Sequence, residues 1–198
     1  MHLVDGLVPV PVVVGCSAVA VAGVALGLRR LTPDRLPQAA MVSSVFFVAS
    51  LIHVPLGPSS VHLILGGLAG MVLGTAAFPA LLVALLLQAV FFGFGGLTVL
   101  GVNAVILALP AVLVGEVARR WVSRSPLAVG ALAGGLTVML SALVCAAILA
   151  LSGEGLATMA QALVLAHLPV AVIEALVTAA VAVFLTRVRP DVMAVAHG

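Results

Sequence analysis

Long apolar runs, separated by short polar or Gly/Pro-rich breaks, follow one another from one end of the chain to the other. Seven of them can be delimited: residues 8–28, 39–53, 61–74, 79–94, 102–118, 127–151 and 156–185. A helix needs about 20 apolar residues to cross the hydrocarbon core of a bilayer. The pattern predicts an all-α membrane protein of about seven transmembrane helices, folded as a single integral-membrane domain over 1–198. Several runs are short for a full crossing, as expected of helices that stop at an internal cavity. The last is long enough to tilt or kink, with Pro169 as the candidate kink.

Composition removes the soluble alternative. Hydrophobic residues make up 64% of the chain and charged residues 7%, against about 25% charged in an ordinary soluble domain. So little charge cannot cover a water-facing surface. No internal repeat stands out. Small residues four apart (Ala18 and Ala22, Gly23 and Gly27, Gly70 and Gly74) would let helices approach closely, a weak signal in so Gly- and Ala-rich a chain.

The basic residues orient the bundle. There is no lysine, and the eight arginines fall in three clusters: Arg29, Arg30 and Arg35; Arg119, Arg120 and Arg124; Arg187 and Arg189. With seven crossings, all three clusters lie on one side, which the positive-inside rule makes cytoplasmic. The N-terminus is then outside and the C-terminus inside, in a multi-pass protein of the bacterial cytoplasmic membrane. A formal net charge of +2 argues against nucleic acid as a partner. The start carries Asp5 where a secretory signal carries basic residues, so the first span and the N-terminus are expected to be retained. Cys16 and Cys145 sit in separate apolar runs and read as packed hydrophobes. No phosphate-binding loop, serine-hydrolase elbow or HExxH motif is present.

A chain this apolar makes its remaining polar groups informative. At the start, the α-amine of Met1, the backbone nitrogen of His2 and the His2 imidazole lie in series and can close adjacent chelate rings around one metal ion. In-plane nitrogen donors suit tetragonal Ni²⁺ or Cu²⁺, and imidazole also suits Co²⁺ and Zn²⁺. A chance histidine at a frayed terminus is the competing reading. His62, predicted at the outer end of the third span, offers the fourth nitrogen that such a terminus lacks; alone, it reads equally as a satisfied interior histidine. Ser59 and Ser60 are expected to cap that helix and hold the ring, and His53 to line the same cavity. His167 and Glu174, seven residues apart, share one helix face. A carboxyl inside a span marks function by default, although a polar lock between helices accounts for the pair as well. Asn103 and Gln88 read as glue between helices.

The segment Met1-His2-Leu3-Val4-Asp5-Gly6-Leu7-Val8-Pro9 resembles the opening of the CbiM/NikM family, the substrate-capture (S) components of energy-coupling-factor transporters for cobalt and nickel. Further resemblances follow in order: Pro58-Ser59-Ser60-Val61-His62-Leu63, Leu87-Gln88-Ala89-Val90-Phe91-Phe92-Gly93-Phe94-Gly95-Gly96-Leu97-Thr98, Leu100-Gly101-Val102-Asn103, and His167-Leu168-Pro169 with Glu174. The resemblance implies seven spans, with the N-terminus folded into the bundle. It implies a metal held by Met1 (α-amine), His2 (backbone nitrogen and imidazole) and His62 (imidazole). Gly66 and Ile106 stand where the family often has asparagine, which bears on fine tuning around the site. The resemblance also implies partners: a transmembrane coupling protein, paired cytoplasmic ATPases that supply the motor, and a small auxiliary membrane protein. Co²⁺ is the preferred cargo because the SVHL and FGFGGL segments resemble members assigned to cobalt; Ni²⁺ comes next. No organic cofactor is implied. Two other classes stay in view: a secondary transporter or vitamin-type S component using polar groups of the later spans, and an intramembrane enzyme using His167 and Glu174.

Overall fold

The computed structural model describes residues 2–51, 53–56 and 59–193; the side chains of 53–56, 59–61 and Glu154 fall outside that description. Met1 and His197 therefore lie outside the described residues. Seven principal helices occur in chain order: α1 (Val10–Arg30), α2 (Leu36–Leu51), α3 (Gly66–Leu73), α4 (Ala77–Phe92), α5 (Leu100–Ala118), α6 (Pro126–Ser152) and α7 (Ala157–Val188). A four-residue helix, α8 (Pro190–Met193), closes the described chain. Between α2 and α3 stands an antiparallel hairpin of β1 (His53–Leu56) and β2 (Ser59–His62), in a register that pairs His53 with His62.

Packing between helices sets their directions. Gly66 faces Ala111, and Gly70 faces Ala111 and Gly115, so α3 runs parallel to α5. α4 is joined to α5 by a short loop and packs against it, starting beside the C-terminal end of α1, where Gly27 meets Thr75 and Pro79. α3 and α4 therefore run in opposite directions. The reversal falls at Gly74, whose φ of +59° is left-handed backbone that favours glycine. α6 and α7 are antiparallel: Gly130 meets Ala179 and Ala182, while Gly134 meets Glu174 and Thr178. Seven helical legs alternate in direction.

Fewer than seven of these legs are long enough to cross on their own. Among the described residues, five stretches have the length and apolarity to cross a membrane: Val10–Arg30, Gly66–Phe92, Leu100–Ala118, Pro126–Ser152 and Ala157–Val188. The second of these joins α3 and α4, which the turn at Gly74 divides. At 8 residues, α3 rises only about 12 Å, and the hairpin supplies the rest of that leg. The expected span at 61–74 is thus α-helical only over Gly66–Leu73 and opens with the end of β2. Irregular backbone survives in a bilayer when it is buried in protein, and α3 is buried along nearly its whole length. The exterior is the reverse. α1 buries only Ala20 and Gly27, and turns Val10, Val14, Val21 and Leu26 outward, as lipid requires.

The ends of the chain's polar features agree with this layout. Arg35 donates to the carbonyl of Val72 at the end of α3, and with Arg189 it lines one cavity. Glu116, near the end of α5, accepts from the Thr75 amide and lies 3.8 Å from Arg119. One arginine from each cluster thus gathers at the same end of the bundle. Pro169 lies inside α7, whose helix continues on both sides of it. Of the small-residue pairs, Gly23 and Gly27 do pack tightly on α4, whereas Ala18 and Ala22 face outward. Cys145 is buried and Cys16 half-buried, both as free thiols.

The α3–α5 contact is the closest helix approach tied to a single residue. A Cβ on Gly70 would enter the backbone of Ala111. Gly70→Ala is expected to cost about 1–3 kcal/mol through overpacking, read as a lower melting temperature in detergent. An unchanged melting temperature would contradict so close an approach.

Candidate metal site at the buried N-terminal segment

Residues 2–9 precede α1 and turn into the bundle. His2 and Leu3 are buried, at 5% and 0% exposure, although they lie beside the end of the chain. A backbone brought into an apolar interior must find hydrogen-bond partners there. Asn103, in the first turn of α5, supplies them. Its Oδ1 accepts from the Leu3 amide at 2.8 Å, and its Nδ2 donates to the Leu3 carbonyl at 3.0 Å. The side-chain amide thus acts as a strand partner for one residue. Asp5 extends the clasp. Its amide donates to the Gly95 carbonyl at 3.2 Å, and its carboxylate accepts from the amides of Thr98 and Val99 and from the Thr98 hydroxyl. Those amides stand just ahead of α5, where helix N–H groups lack partners and favour negative charge. A Cβ on Gly96 would strike the Asp5 carboxylate, and one on Gly95 would meet Asn103 Nδ2 at 2.7 Å. The glycines at 95 and 96 make room for the N-terminal segment.

This anchoring sets His2 against His62. The two rings are stacked, with centroids 4.8 Å apart and planes 22° from parallel. Phe46 of α2 meets the His62 ring edge-on, with centroids 6.4 Å apart. His62 is 3% exposed, and its Nδ1 lies 2.8 Å from the Leu63 carbonyl. A carbonyl can only accept, so Nδ1 carries the proton and Nε2 presents its lone pair. That Nε2 is buried without a hydrogen-bond partner. With Nδ1 bonded to that carbonyl, the neutral ring presents Nε2, the form of imidazole that binds metal. Among the described residues, no group of three or more His, Cys, Asp or Glu side chains is arranged to hold a metal ion.

The remaining sequence candidates take other places. Ser59 and Ser60 do not cap a helix: they lie in β2, and α3 begins at Gly66 behind a Leu65 N-cap without a side-chain bond. The cap comes from across the bundle. Glu174 of α7 accepts from the amides of Ile64 and Leu65, the latter at 2.7 Å. It is fully buried, and locks α7 to the turn that follows His62. His167 bonds the Leu163 carbonyl at 2.7 Å through Nδ1. The two share a face as predicted, and each bonds to a different part of the chain. Gln88 does join helices, donating to the Ser50 hydroxyl of α2. Asn103 departs from the expected helix-to-helix role, because its amide bonds the N-terminal segment. His53 is opposite His62 in the hairpin register; its side chain, like those of Ser59 and Ser60, lies outside the described residues. Asp5 was missed as a site-forming residue. The signal available was an acid followed by glycine just ahead of the first span.

Residues 2–192 match the family model described as the cobalt uptake substrate-specific transmembrane region, CbiM. The chain belongs to the CbiM family. The family model describes a substrate-specific transmembrane region, in accord with a multi-pass membrane protein. Over 113 residues it is 56% identical to the "Putative metal transport protein" of Haemophilus influenzae, covering 57% of this chain and 55% of that one. Over 116 residues it is 39% identical to the fused nickel transport protein NikMN of Rhodobacter capsulatus, covering 55% of this chain and 33% of that one. The chain thus spans about half and a third of those two relatives. It also resembles the crystal structure of a transition metal transporter, with a TM-score of 0.82 at 25% identity over 95% of this chain and 93% of that one.

If the clasp holds the N-terminal segment in place, Asn103→Ala loosens it. Two buried hydrogen bonds are lost, at about 1–3 kcal/mol for the groups left unpaired. Amide exchange at Leu3 should accelerate about 5- to 100-fold, with the helices unchanged. Equal protection of Leu3 in the variant would show that Asn103 does not carry the anchoring.

Proposed function

We propose that this CbiM protein captures Co²⁺ from outside the cell, and that it holds the ion with the α-amine of Met1, the backbone nitrogen and imidazole of His2, and the imidazole of His62. The observation that carries the reading is the stack of His2 on His62 inside the bundle. Burying an N-terminal histidine costs hydrogen bonds to water, and Asn103, Asp5, Gly95 and Gly96 together meet that cost. Nothing about packing alone calls for so elaborate an anchor. His62 Nε2 is a bare nitrogen beside the His2 ring, held by an Nδ1–H bond to a carbonyl, as metal-binding imidazoles commonly are.

The gathering of Arg35, Arg119 and Arg189 at one end supports an N-terminus outside and a C-terminus in the cytoplasm. The protein would sit in the bacterial cytoplasmic membrane. Release of the ion inward needs a motor that a capture subunit lacks. A transmembrane coupling protein, paired cytoplasmic ATPases and a small auxiliary membrane protein would complete the transporter. The fused nickel relative, which this chain covers by a third, accords with a multipart system.

Ni²⁺ is the second reading. Four nitrogens approaching a plane favour Ni²⁺ over Co²⁺ on coordination chemistry, and a relative named for nickel is 39% identical over its matched part.

The test is metal binding to the purified chain with a free N-terminus, beside a variant with one glycine added before Met1. The native chain should bind Co²⁺ and Ni²⁺, and the extended chain should lose at least about 100-fold in affinity, on the scale of removing two ligands. Equal binding by both would exclude the terminal chelate, and the ratio of the two affinities decides the metal. Acid should weaken binding, because the α-amine, with an ordinary pKa of about 7.7–8.0, and the backbone nitrogen must lose protons. The imidazoles must be neutral as well, so affinity is expected to fall from about pH 8 to 5. A flat profile over that range contradicts nitrogen ligation by the terminus.

A further inference from the structure

His167 lies on α7 at 0% exposure, and the capture site just described gives it no task. Its Nδ1 is 2.7 Å from the Leu163 carbonyl, one turn back on the same helix. Nδ1 is therefore the protonated nitrogen, and Nε2 keeps its lone pair. That Nε2 is buried and has no hydrogen-bond partner. His62 has the same arrangement: Nδ1 tied to a carbonyl, and Nε2 buried and unpartnered. A buried acceptor left without a partner costs about 1–3 kcal/mol, and two imidazoles prepared alike call for a common explanation.

The fold brings them toward each other. Glu174 fixes Ile64 and Leu65 on α7, and β2 packs along the same helix. From Ile64 back to His62 the extended chain covers about 7 Å, roughly the rise of four to five helical residues. Since β2 keeps contact with α7, His62 stands near the level of His167, seven residues ahead of Glu174. Ser141 completes the neighbourhood. α6 and α7 are antiparallel with Gly134 opposite Glu174, so Ser141 is level with His167, and its hydroxyl is buried without a partner.

We infer that His62 Nε2 and His167 Nε2 form a second site for a first-row divalent cation, one step inward from the N-terminal chelate, with Ser141 holding a water of the ion. The inference rests on the capture reading: the ion leaves the nitrogens of Met1 and His2 while His62 keeps hold of it, and His167 takes the place of the departing terminus. No bond other than metal–ligand bonds is made or broken. The second site has fewer protein nitrogens than the first, so it is weaker, as a site of passage must be if the ion is to leave.

The test removes the first site and asks what remains. In a full chain carrying one glycine before Met1 together with His2→Ala, the terminal chelate is gone, and residual binding of Co²⁺ is measured by titration. The inference expects one weak site whose affinity falls at least about tenfold with His167→Gln or His62→Gln, while His167→Gln in the native chain leaves capture affinity within about threefold. Cu²⁺ serves as a spectroscopic probe: pulsed electron paramagnetic resonance should count two imidazoles in the chain lacking the chelate and one after either glutamine substitution. No residual site, residual binding unmoved by His167→Gln, or a single imidazole before any substitution at 167 overturns the inference. The last of these needs no variant at position 167, so it decides the matter even if His167→Gln fails to fold. Failure of the native chain to bind at all is a separate result, and removes the capture reading.

Discussion

A polypeptide end can enter the middle of a membrane bundle only if its amides and carbonyls find partners there, and in this chain one side-chain amide provides them. Asn103 meets both backbone groups of Leu3, and from that clasp the rest of the site follows. Leu3 fixes the position of His2; His2 stacks on His62; His62 in turn holds its register through the hairpin and the Glu174 lock. Asp5 closes the opposite side, because the amides ahead of α5 are unsatisfied until a carboxylate reaches them. Each contact is worth little alone, on the order of 0.5–1.5 kcal/mol net for a hydrogen bond. Together they hold the N-terminal segment against the candidate site.

Glu174 shows how the bundle manages a carboxyl in its interior. A carboxyl inside a span is costly, but here it accepts from the amides of Ile64 and Leu65, just ahead of α3. One interaction satisfies a helix end and fixes the turn two residues beyond His62. The hairpin explains the short third leg in the same terms. Extended chain carries the leg where a helix would be expected, and its strands satisfy each other while protein encloses α3.

Much of this was legible beforehand, for reasons that differ by element. The long runs that became α1, α5, α6 and α7 were legible because nothing but a membrane suits them, and their ends fall within about three residues of the apolar boundaries. The single-sided arginines were legible because charge cannot hide in lipid. His2 and His62 were singled out by position and chemistry, and the bundle does bring them together. The strands His53–Leu56 and Ser59–His62 were not legible: they fall largely in the break between two apolar runs, and only the pairing partner makes them strands. Nor were the uses of Asn103, Asp5 and Glu174. A polar residue in or beside a span announces that it has a partner, but a backbone partner 93 to 110 residues away leaves no mark in local sequence.

X-ray absorption at the cobalt edge of the metal-loaded, purified chain tests the central claim most directly. The account predicts a first shell dominated by nitrogen, with outer-shell scattering from two imidazole rings, one from His2 and one from His62. A six-coordinate shell of oxygen, or scattering from no more than one ring, would contradict it.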